Sequence, residues 1–298
     1  MPDNQNRRNV IKNLLVGSAA LGSTAMLSSF NTEPTEKKDK KLKLKGNISH
    51  SVCQWCYNFI PLDKLCQAVK EIGFGAIDLI GPKDWPILQQ YGIFSSMCYH
   101  GGKTSLTNGF NNKSFHTQLI QDYTEVIPLM VKAGYKNVIC FSGNRNGMDD
   151  QTGLKNCVEG LQKILPLAEK NGITVQMELL NSKVNHKDYM CDKTAWGVEL
   201  CKTLGSSNFK LLYDIYHMQI DEGDVIRTIQ DNHQYIGHYH TGGVPGRNEI
   251  DESQELYYPA IMRAIVKTGY KGYVAQEFIP VQDDKIKSLK NAVRICDV

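Results

Sequence analysis

The stretch Lys170-Asn171-Gly172-Ile173-Thr174-Val175-Gln176-Met177-Glu178 decides the fold, because a helix end, a glycine, an apolar strand and a carboxylate follow one another in it. Glycine after an amphipathic stretch adopts the left-handed conformation without steric cost, and it therefore ends a helix. The apolar residues behind it have the length and composition of a buried strand. The same helix–glycine–strand unit recurs around Gly73, Gly92, Gly134 and Gly269.

Eight strands are predicted when this unit is followed along the chain, at 48–52, 76–80, 93–97, 138–141, 173–177, 209–214, 236–240 and 273–276. Helical segments predicted between them include 62–72, 115–133, 154–171, 193–204, 224–233 and 256–268. Strands that alternate with helices pair in parallel through right-handed crossovers. Eight such units in about 250 residues predict an α/β fold, a single (β/α)8 TIM barrel. An open doubly wound sheet is the alternative, but the G-x-G-x-x-G motif typical of its first turn does not occur.

Composition and charge narrow the class of protein. The chain has 298 residues, 41% of them hydrophobic and 22% charged, which is typical of a folded globular protein. Residues 1–47 carry nine basic and four acidic residues, whereas residues 48–298 carry 25 basic and 27 acidic ones. The folded part thus lacks the basic excess of a nucleic-acid-binding protein, and no nucleic-acid partner is expected.

The first thirty residues have the features of an export signal. Arg7-Arg8 precede a weakly apolar run at 14–22, which small residues follow. A basic segment before a short apolar one is typical of a signal peptide, and paired arginines are typical of the twin-arginine type. A Sec signal or a disordered arm are the alternatives. We expect an export signal peptide over 1–30, a Lys-rich linker over 31–47 and the barrel domain over 48–298. The protein would then be periplasmic, with no membrane attachment after signal removal.

The nine cysteines do not form the pattern of a disulfide framework. Four of them fall within apolar-periodic segments, where buried thiols are common, namely Cys66, Cys140, Cys157 and Cys201. Cys53 and Cys56 form a C-x-x-C motif, but no second such motif completes a zinc site. We interpret this pair as two packed thiols at the end of a strand.

Strong ligand types end four of the predicted strands, at the edge where a parallel barrel places its active site. These residues are Glu178, Asp214, His240 and Glu277. A single glutamate would pair with a basic residue, and a lone histidine would be an ordinary hydrogen-bonded one. Three carboxylates that converge repel one another unless a cation neutralises them, so four ligands on successive strands favour a metal site. The set suits one divalent ion, Mn²⁺ first, with Mg²⁺, Co²⁺ or Zn²⁺ also compatible.

Three further histidines lie near predicted strand ends. His238 shares a strand face with His240, so it either supports that residue or belongs to the core. His50 and His100 could reach the barrel mouth or lie in ordinary loops. We include His100 among the expected substrate contacts.

Several motifs of the second half point to a known family. They are Tyr213–Gln219, Glu222–Asp224, Ile236–His238, Val244–Arg247 and Gly269–Val274. In these motifs the chain resembles the hydroxypyruvate isomerase family, a group of the xylose-isomerase-like barrels, which also include the ketose 3-epimerases. The resemblance runs from about residue 48 to the end and is densest over 171–280.

The resemblance implies a role for each matched residue. Glu178, Asp214, His240 and Glu277 match the divalent-metal ligands of the family. Glu178 and Glu277 also match its catalytic carboxylates, which move protons on either face of the substrate. His217 and Arg247 match positions that contact substrate oxygens.

Two departures from the family pattern bear on the substrate. Hydroxypyruvate isomerases similar to this chain carry Gln at the position of His240, whereas the ketose 3-epimerases carry His. The loop Leu179–His186 resembles that of neither group, and the acidic residue with which epimerases bind sugar hydroxyls is missing near Val184. Hydroxypyruvate itself is therefore not singled out as the substrate.

The resemblance implies a metal-dependent isomerase or epimerase acting on a small ketose, keto sugar or keto acid through an enediolate. A metal-dependent lyase or hydratase on 3-keto sugars or keto-glycosides starts from the same proton abstraction and is an alternative. A non-catalytic exported sugar-binding barrel is the second alternative, although simple binding has no need of two opposed bases. The expected partner is a carbohydrate or keto acid, and a homo-oligomer is compatible with the sequence.

Overall fold

The computed structural model of the protein describes residues 41–102 and 105–298. The export signal expected over 1–30 lies outside these residues, as does most of the linker expected over 31–47, so both stay predictions. Within the described residues, no helix is both long and apolar enough to cross a membrane. The residues just before the first strand contact the barrel, since the Asn47 side chain donates to the Val298 carbonyl at 2.8 Å.

All eight predicted strands are present. They are β1 (Ser49–Val52), β2 (Ala76–Ile77), β3 (Phe94–Ser95), β4 (Asn137–Cys140), β5 (Thr174–Leu179), β6 (Phe209–Asp214), β7 (Ile236–Thr241) and β8 (Tyr273–Gln276). Six strands form one sheet in the order β1-β8-β7-β6-β5-β4, and β2 pairs with β3. Every ladder is parallel, because helical segments return the chain to the same edge between strands. The predicted α/β TIM barrel is thereby confirmed.

Single backbone bridges join the two sheets around the barrel. Cys53 bridges to Asp78 where β1 meets β2, and the Asp78 N–H donates to the Val52 carbonyl at 2.8 Å. Cys98 bridges to Val138 where β3 meets β4. The circle of strands is therefore complete, and the fewest backbone pairings join β1 to β2 and β3 to β4.

Strands β2 and β3 are shorter than the predicted runs of 76–80 and 93–97. Leu79 adopts a φ of 63°, in the left-handed region that interrupts an extended ladder. The strand pattern of the sequence gives no sign of this bend, because Leu79 is an apolar residue between Asp78 and Ile80.

Ten α-helices lie among the described residues. They are α1 (Leu62–Ile72), α2 (Trp85–Gln90), α3 (His116–Ala133), α4 (Asp150–Leu161), α5 (Leu165–Asn171), α6 (Thr194–Leu204), α7 (Ile215–Asp221), α8 (Val225–Asn232), α9 (Tyr258–Lys267) and α10 (Lys285–Cys296). Short 3₁₀ turns occur at Gln54–Tyr57, Lys113–Phe115 and His233–Tyr235. Most predicted helices agree within a few residues.

The helix predicted over 154–171 is wrong as a single element, because the chain breaks it into α4 and α5. Pro166 lies in the first turn of α5. Proline has no N–H to donate to the preceding turn, so it is tolerated at a helix start and not within a helix. The signal was present in the sequence and marks the start of the second helix.

Glycines end several of the helices, as predicted for Gly134 and Gly172. Gly134, Gly172 and Gly205 follow α3, α5 and α6, with φ values of 80°, 61° and 64°. This left-handed cap turns the chain directly into the next strand. Residues of the strands that follow, such as Val175 and Leu211, are fully buried in the barrel wall.

All nine cysteines are free and buried. This result confirms the interpretation of Cys53 and Cys56 as packed thiols and not as a disulfide. Burial raises the pKa of both thiols well above the ordinary value, so they are neutral.

Candidate active site

Four strands bring the predicted metal ligands to one point at the carboxyl-terminal mouth of the barrel. Glu178 lies near the end of β5, Asp214 ends β6, His240 lies near the end of β7 and Glu277 directly follows β8. Ligand atoms of these four residues all lie within 4.8 Å of one another. All four side chains are buried. The pairing of Asp214 with His240 across β6 and β7 explains part of this convergence, since paired residues on adjacent strands share a face.

His240 lies at the centre of the cluster. Its Nδ1 atom is 2.8 Å from Glu277 Oε2 and 3.2 Å from Glu178 Oε1. Its Nε2 atom lies 3.0 Å from Asp78 Oδ2, on the side away from the two glutamates. The ring therefore separates the carboxylates at the mouth from a second polar group deeper in the barrel.

The two carboxylate oxygens of Asp214 make different contacts at the junction of β6 and α7. Its Oδ1 atom accepts the His217 backbone N–H at 3.1 Å and so caps the helix. Its Oδ2 atom faces the Arg247 Nη2 atom at 3.1 Å and the His217 Nε2 atom at 3.6 Å. The cap fixes the carboxylate, and it also brings two of the three predicted substrate-contact residues, His217 and Arg247, to the same oxygen.

Arg247 is held by charge and by aromatic faces. Its Nη2 atom bridges Asp214 Oδ2 and Glu277 Oε2. The guanidinium carbon lies 5.1 Å from the ring centre of Trp55 and 5.3 Å from that of Tyr216, as in cation–π contacts. The backbone at Arg247 has a φ of 60°, which is unusual for a residue with a long side chain. Such a backbone persists where the surroundings fix it, often at functional sites.

Burial and charge set the protonation of the cluster. Burial raises the pKa of Glu178 above its ordinary value and that of Asp214 well above it. Burial acts in the same direction on Glu277, but Arg247 and His240 outweigh it and hold the Glu277 pKa well below its usual range. Burial, with Arg247 adding to it, holds the pKa of His217 well below its usual value, so this ring is neutral.

The donor set fits a divalent cation. Three carboxylates and one imidazole nitrogen meet at one buried point, which gives an excess of negative charge over the single Arg247 guanidinium that contacts them. Glu178 Oε1 makes no hydrogen bond with any described group, although it lies near His240 Nδ1. A buried carboxylate oxygen without a hydrogen bond is costly, and a cation would satisfy it.

A buried polar network, missed by the sequence analysis, lies below His240. Asp78 Oδ2 is 2.7 Å from His238 Nε2 and 3.0 Å from His240 Nε2, and Asp78 Oδ1 accepts from the Ser51 and Ser96 hydroxyls. We call these five residues the Asp78 network. Burial acts to raise the Asp78 pKa, but the two histidines outweigh it and lower that pKa. Asp78 directly follows β2 in the structure, but it lies within the strand predicted over 76–80, so the strand-end signal that identified the four ligands did not single it out.

His238 belongs to the Asp78 network. The residue supports His240 through Asp78 and is fully buried. The His50 side chain contacts a different part of the protein, because its Nε2 atom lies 3.5 Å from Asp297 Oδ1. His50 therefore does not belong to the mouth.

The neighbours of His100 are aromatic and acidic side chains. The His100 ring packs on Tyr99 and Tyr123, and its Nδ1 atom lies 3.7 Å from Asp122 Oδ2. These partners belong to α3 and the loop after β3, and the role of His100 as a substrate contact stays a prediction.

Trp55, which the sequence analysis did not assign to the site, donates its Nε1–H to Glu277 Oε1 at 2.7 Å. Its position in the 3₁₀ turn shortly after the end of β1 is the signal that could have found it.

The family follows from comparison with known proteins. The family profile described as "Xylose isomerase-like TIM barrel" matches residues 66–294. This match covers most of the chain, and the protein belongs to the xylose isomerase-like TIM barrel family.

Named relatives are isomerases and epimerases. The chain is 34% identical to a 2-oxo-tetronate isomerase of Cupriavidus necator over 123 residues, 41% of this chain and 46% of that protein. It is 25% identical to a D-psicose 3-epimerase of Ruminiclostridium cellulolyticum over 201 residues, 60% of this chain and 65% of that protein. The chain thus spans between about half and two thirds of the length of these curated relatives.

Among solved structures, an AP endonuclease of family 2 from Brucella melitensis superposes with a TM-score of 0.72. The two chains are 21% identical, and the match covers 81% of this chain and 97% of that one. At this identity the likeness concerns the fold alone.

Proposed function

We propose that this protein is a metal-dependent isomerase or epimerase that acts on a small ketose, keto sugar or keto acid. The observation that carries the proposal is the convergence of Glu178, Asp214, His240 and Glu277 within 4.8 Å at the barrel mouth. Membership of the family and the isomerase and epimerase names of the relatives support the same class.

The four converging side chains would hold one divalent ion, with Mn²⁺ as the first expectation for three carboxylates and an imidazole. The bound ion would supply polarisation of the substrate carbonyl as a Lewis acid. Arg247 and His217 would orient substrate oxygens, since both place a side-chain nitrogen beside the Asp214 carboxylate at the mouth.

The reaction moves a proton at the carbon beside the carbonyl. One glutamate takes this proton, and the electron pair of the broken C–H bond enters an enediolate. Isomerisation returns the proton to the neighbouring carbon, and the hydroxyl proton moves from the oxygen that becomes the new carbonyl to the former carbonyl oxygen. Epimerisation returns a proton to the same carbon from its other face. Glu178 lies on β5 and Glu277 directly follows β8, and β6 and β7 separate these two strands, a spacing that suits two bases on opposite faces of one substrate.

Metal loading followed by deuterium exchange tests the proposal. The purified protein is stripped with a chelator and reloaded separately with Mn²⁺, Mg²⁺, Co²⁺ or Zn²⁺. Each form is incubated in D₂O with ketoses, keto-glycosides and keto acids, and ¹H NMR follows the C–H signals. We expect metal-dependent loss of the signal beside the carbonyl, together with an isomeric or epimeric product, for one substrate class.

The other outcomes separate the alternatives. Exchange accompanied by release of a leaving group would assign a lyase. Tight binding of a sugar without exchange by any metal-loaded form would indicate a binding barrel. Absence of both binding and exchange across the three classes would contradict the proposed function.

A further inference from the structure

The loop behind β5 carries an asparagine whose amide orientation is fixed by its neighbours. Asn181 is fully buried, and its Oδ1 atom accepts the backbone N–H groups of Val184 at 3.0 Å and Asn185 at 2.9 Å. Backbone N–H groups can only donate, so the acceptor facing them must be the oxygen of the amide. The Nδ2 atom therefore lies on the other side.

The two hydrogens of this amide have one acceptor each. Asn181 Nδ2 lies 2.8 Å from Asn185 Oδ1 and 2.6 Å from His217 Nδ1. Because Nδ2 carries only donors, His217 Nδ1 must be the acceptor and carries no proton. In a neutral imidazole, the proton then resides on Nε2.

The Nε2 atom of His217 is the part of the ring that faces the site. It is buried, has no hydrogen-bond partner among the described residues, and lies 3.6 Å from Asp214 Oδ2. His217 thus presents an unpaired N–H donor beside a predicted metal ligand. Buried donors are normally paired, so a group that enters the mouth is the natural acceptor.

We propose that Asn181 is a positioning residue that holds His217 in its Nε2–H tautomer, so that this ring donates a hydrogen bond to an oxygen of the substrate. The inference rests on the proposed function for the identity of the acceptor, but not for the tautomer. A donor aimed at an oxygen on which negative charge develops stabilises the enediolate, as oxyanion-binding donors do.

The inference specifies a feature of the substrate. An acceptor oxygen, carbonyl or hydroxyl, must lie within hydrogen-bond reach of His217 Nε2, which is next to the Asp214 carboxylate. A substrate with oxygens on adjacent carbons meets this requirement, because one oxygen can approach His217 while its neighbour approaches the ligand cluster.

The test is the tautomer of His217, read by ¹⁵N NMR on protein labelled at both ring nitrogens of histidine and loaded with diamagnetic Mg²⁺. Two-bond ¹H–¹⁵N correlations distinguish a protonated ring nitrogen from an unprotonated one, and His217→Gln assigns the signals. In the wild-type protein we expect Nδ1 unprotonated and Nε2 protonated. In Asn181→Asp, which keeps the shape but offers an acceptor in place of the donor, we expect the single ring proton on Nδ1 and none on Nε2.

Asn185→Asp is the matched control. It adds the same negative charge to the same loop, and its carboxylate can still accept from Asn181 Nδ2 and from Tyr216 Oη, which now bond to Asn185 Oδ1. The His217 pattern should therefore stay as in the wild type. A wild-type ring with a protonated Nδ1 overturns the inference, and so does an Asn181→Asp ring with the wild-type pattern.

Kinetics separate this inference from the proposed function. On an accepted substrate, Asn181→Asp should lower kcat by about 10²-fold with a smaller change in KM, the range for one lost oxyanion donor. The NMR result stands whether or not any substrate is turned over. A correct tautomer with an unchanged kcat in Asn181→Asp would overturn the role in the reaction, whereas absence of exchange in every variant would overturn the proposed function alone.

Discussion

Asp78→Asn should lower the free energy of unfolding by about 2–4 kcal/mol. The Asp78 carboxylate accepts from two histidines and two serine hydroxyls, and it stays charged in the fold although it is fully buried. A hydrogen bond to a charged group contributes about 1.5–3 kcal/mol, and a neutral one about 0.5–1.5 kcal/mol. Asparagine keeps the shape, and the serine hydroxyls can turn to accept from its amide. The two histidine bonds therefore account for most of the loss.

The measurement is urea denaturation followed by circular dichroism, analysed by linear extrapolation with the slope compared between variants. Asp149→Asn is the matched control, because Asp149 caps α4 through Thr152 on the exposed surface. Asparagine caps a helix about as well as aspartate, so the control should change by less than about 0.5 kcal/mol.

The same variant should weaken metal binding. Asp78 orients His240 through Nε2, and loss of a group that orients a metal-binding histidine lowers metal affinity about 10–100-fold. Isothermal titration calorimetry with Mn²⁺ measures this directly. A variant as stable as the wild type, to within about 0.5 kcal/mol, would refute the charged role of Asp78 in the fold. Unchanged metal affinity would refute its support of His240.

Three further predictions concern the ligands and the N-terminus. Glu178→Gln and Glu277→Gln each remove a basic carboxylate but keep one ligand oxygen, so turnover should fall by about 10²–10⁴-fold in steady-state assays while metal affinity falls less. His240→Gln should shift the metal preference toward Mg²⁺ in the reloading assay, because the cluster loses its imidazole nitrogen. A reporter fused after residue 47 should leave the cytoplasm through the export signal expected over 1–30, and cell fractionation would detect it.

Each of these predictions has its own contrary result, and the export experiment also has a control. In an epimerase, the glutamine variant that keeps the abstracting base should still exchange the substrate proton with D₂O without inversion. A loss of only a few-fold in both glutamine variants would make the pair structural. An unchanged metal profile for His240→Gln would exclude His240 as a ligand. For export, replacing Arg7 and Arg8 by lysine is the control, and an intact reporter that stays in the cytoplasm would contradict the signal.

Local sequence patterns determined the architecture and the four residues that converge at the barrel mouth. Glycine stops such as Gly172 and the apolar runs behind them are local features, because left-handed caps and strand burial depend on neighbouring residues. In a parallel barrel all strands end at the same edge, so naming the residues at strand ends was enough to bring Glu178, Asp214, His240 and Glu277 together. The break at Pro166 was a local signal too, although it was not used.

Tertiary structure alone decided how these groups are paired and supported. Asp78 and His240 are 162 positions apart, and Trp55 and Glu277 are 222 apart, so no local pattern links them. The left-handed backbone of Arg247 and the orientation of the Asn181 amide depend on contacts that exist only after the loops have packed. Hydrogen-bond direction, tautomer and charge partner are properties of close approach in space, and the sequence determines them only through the complete fold.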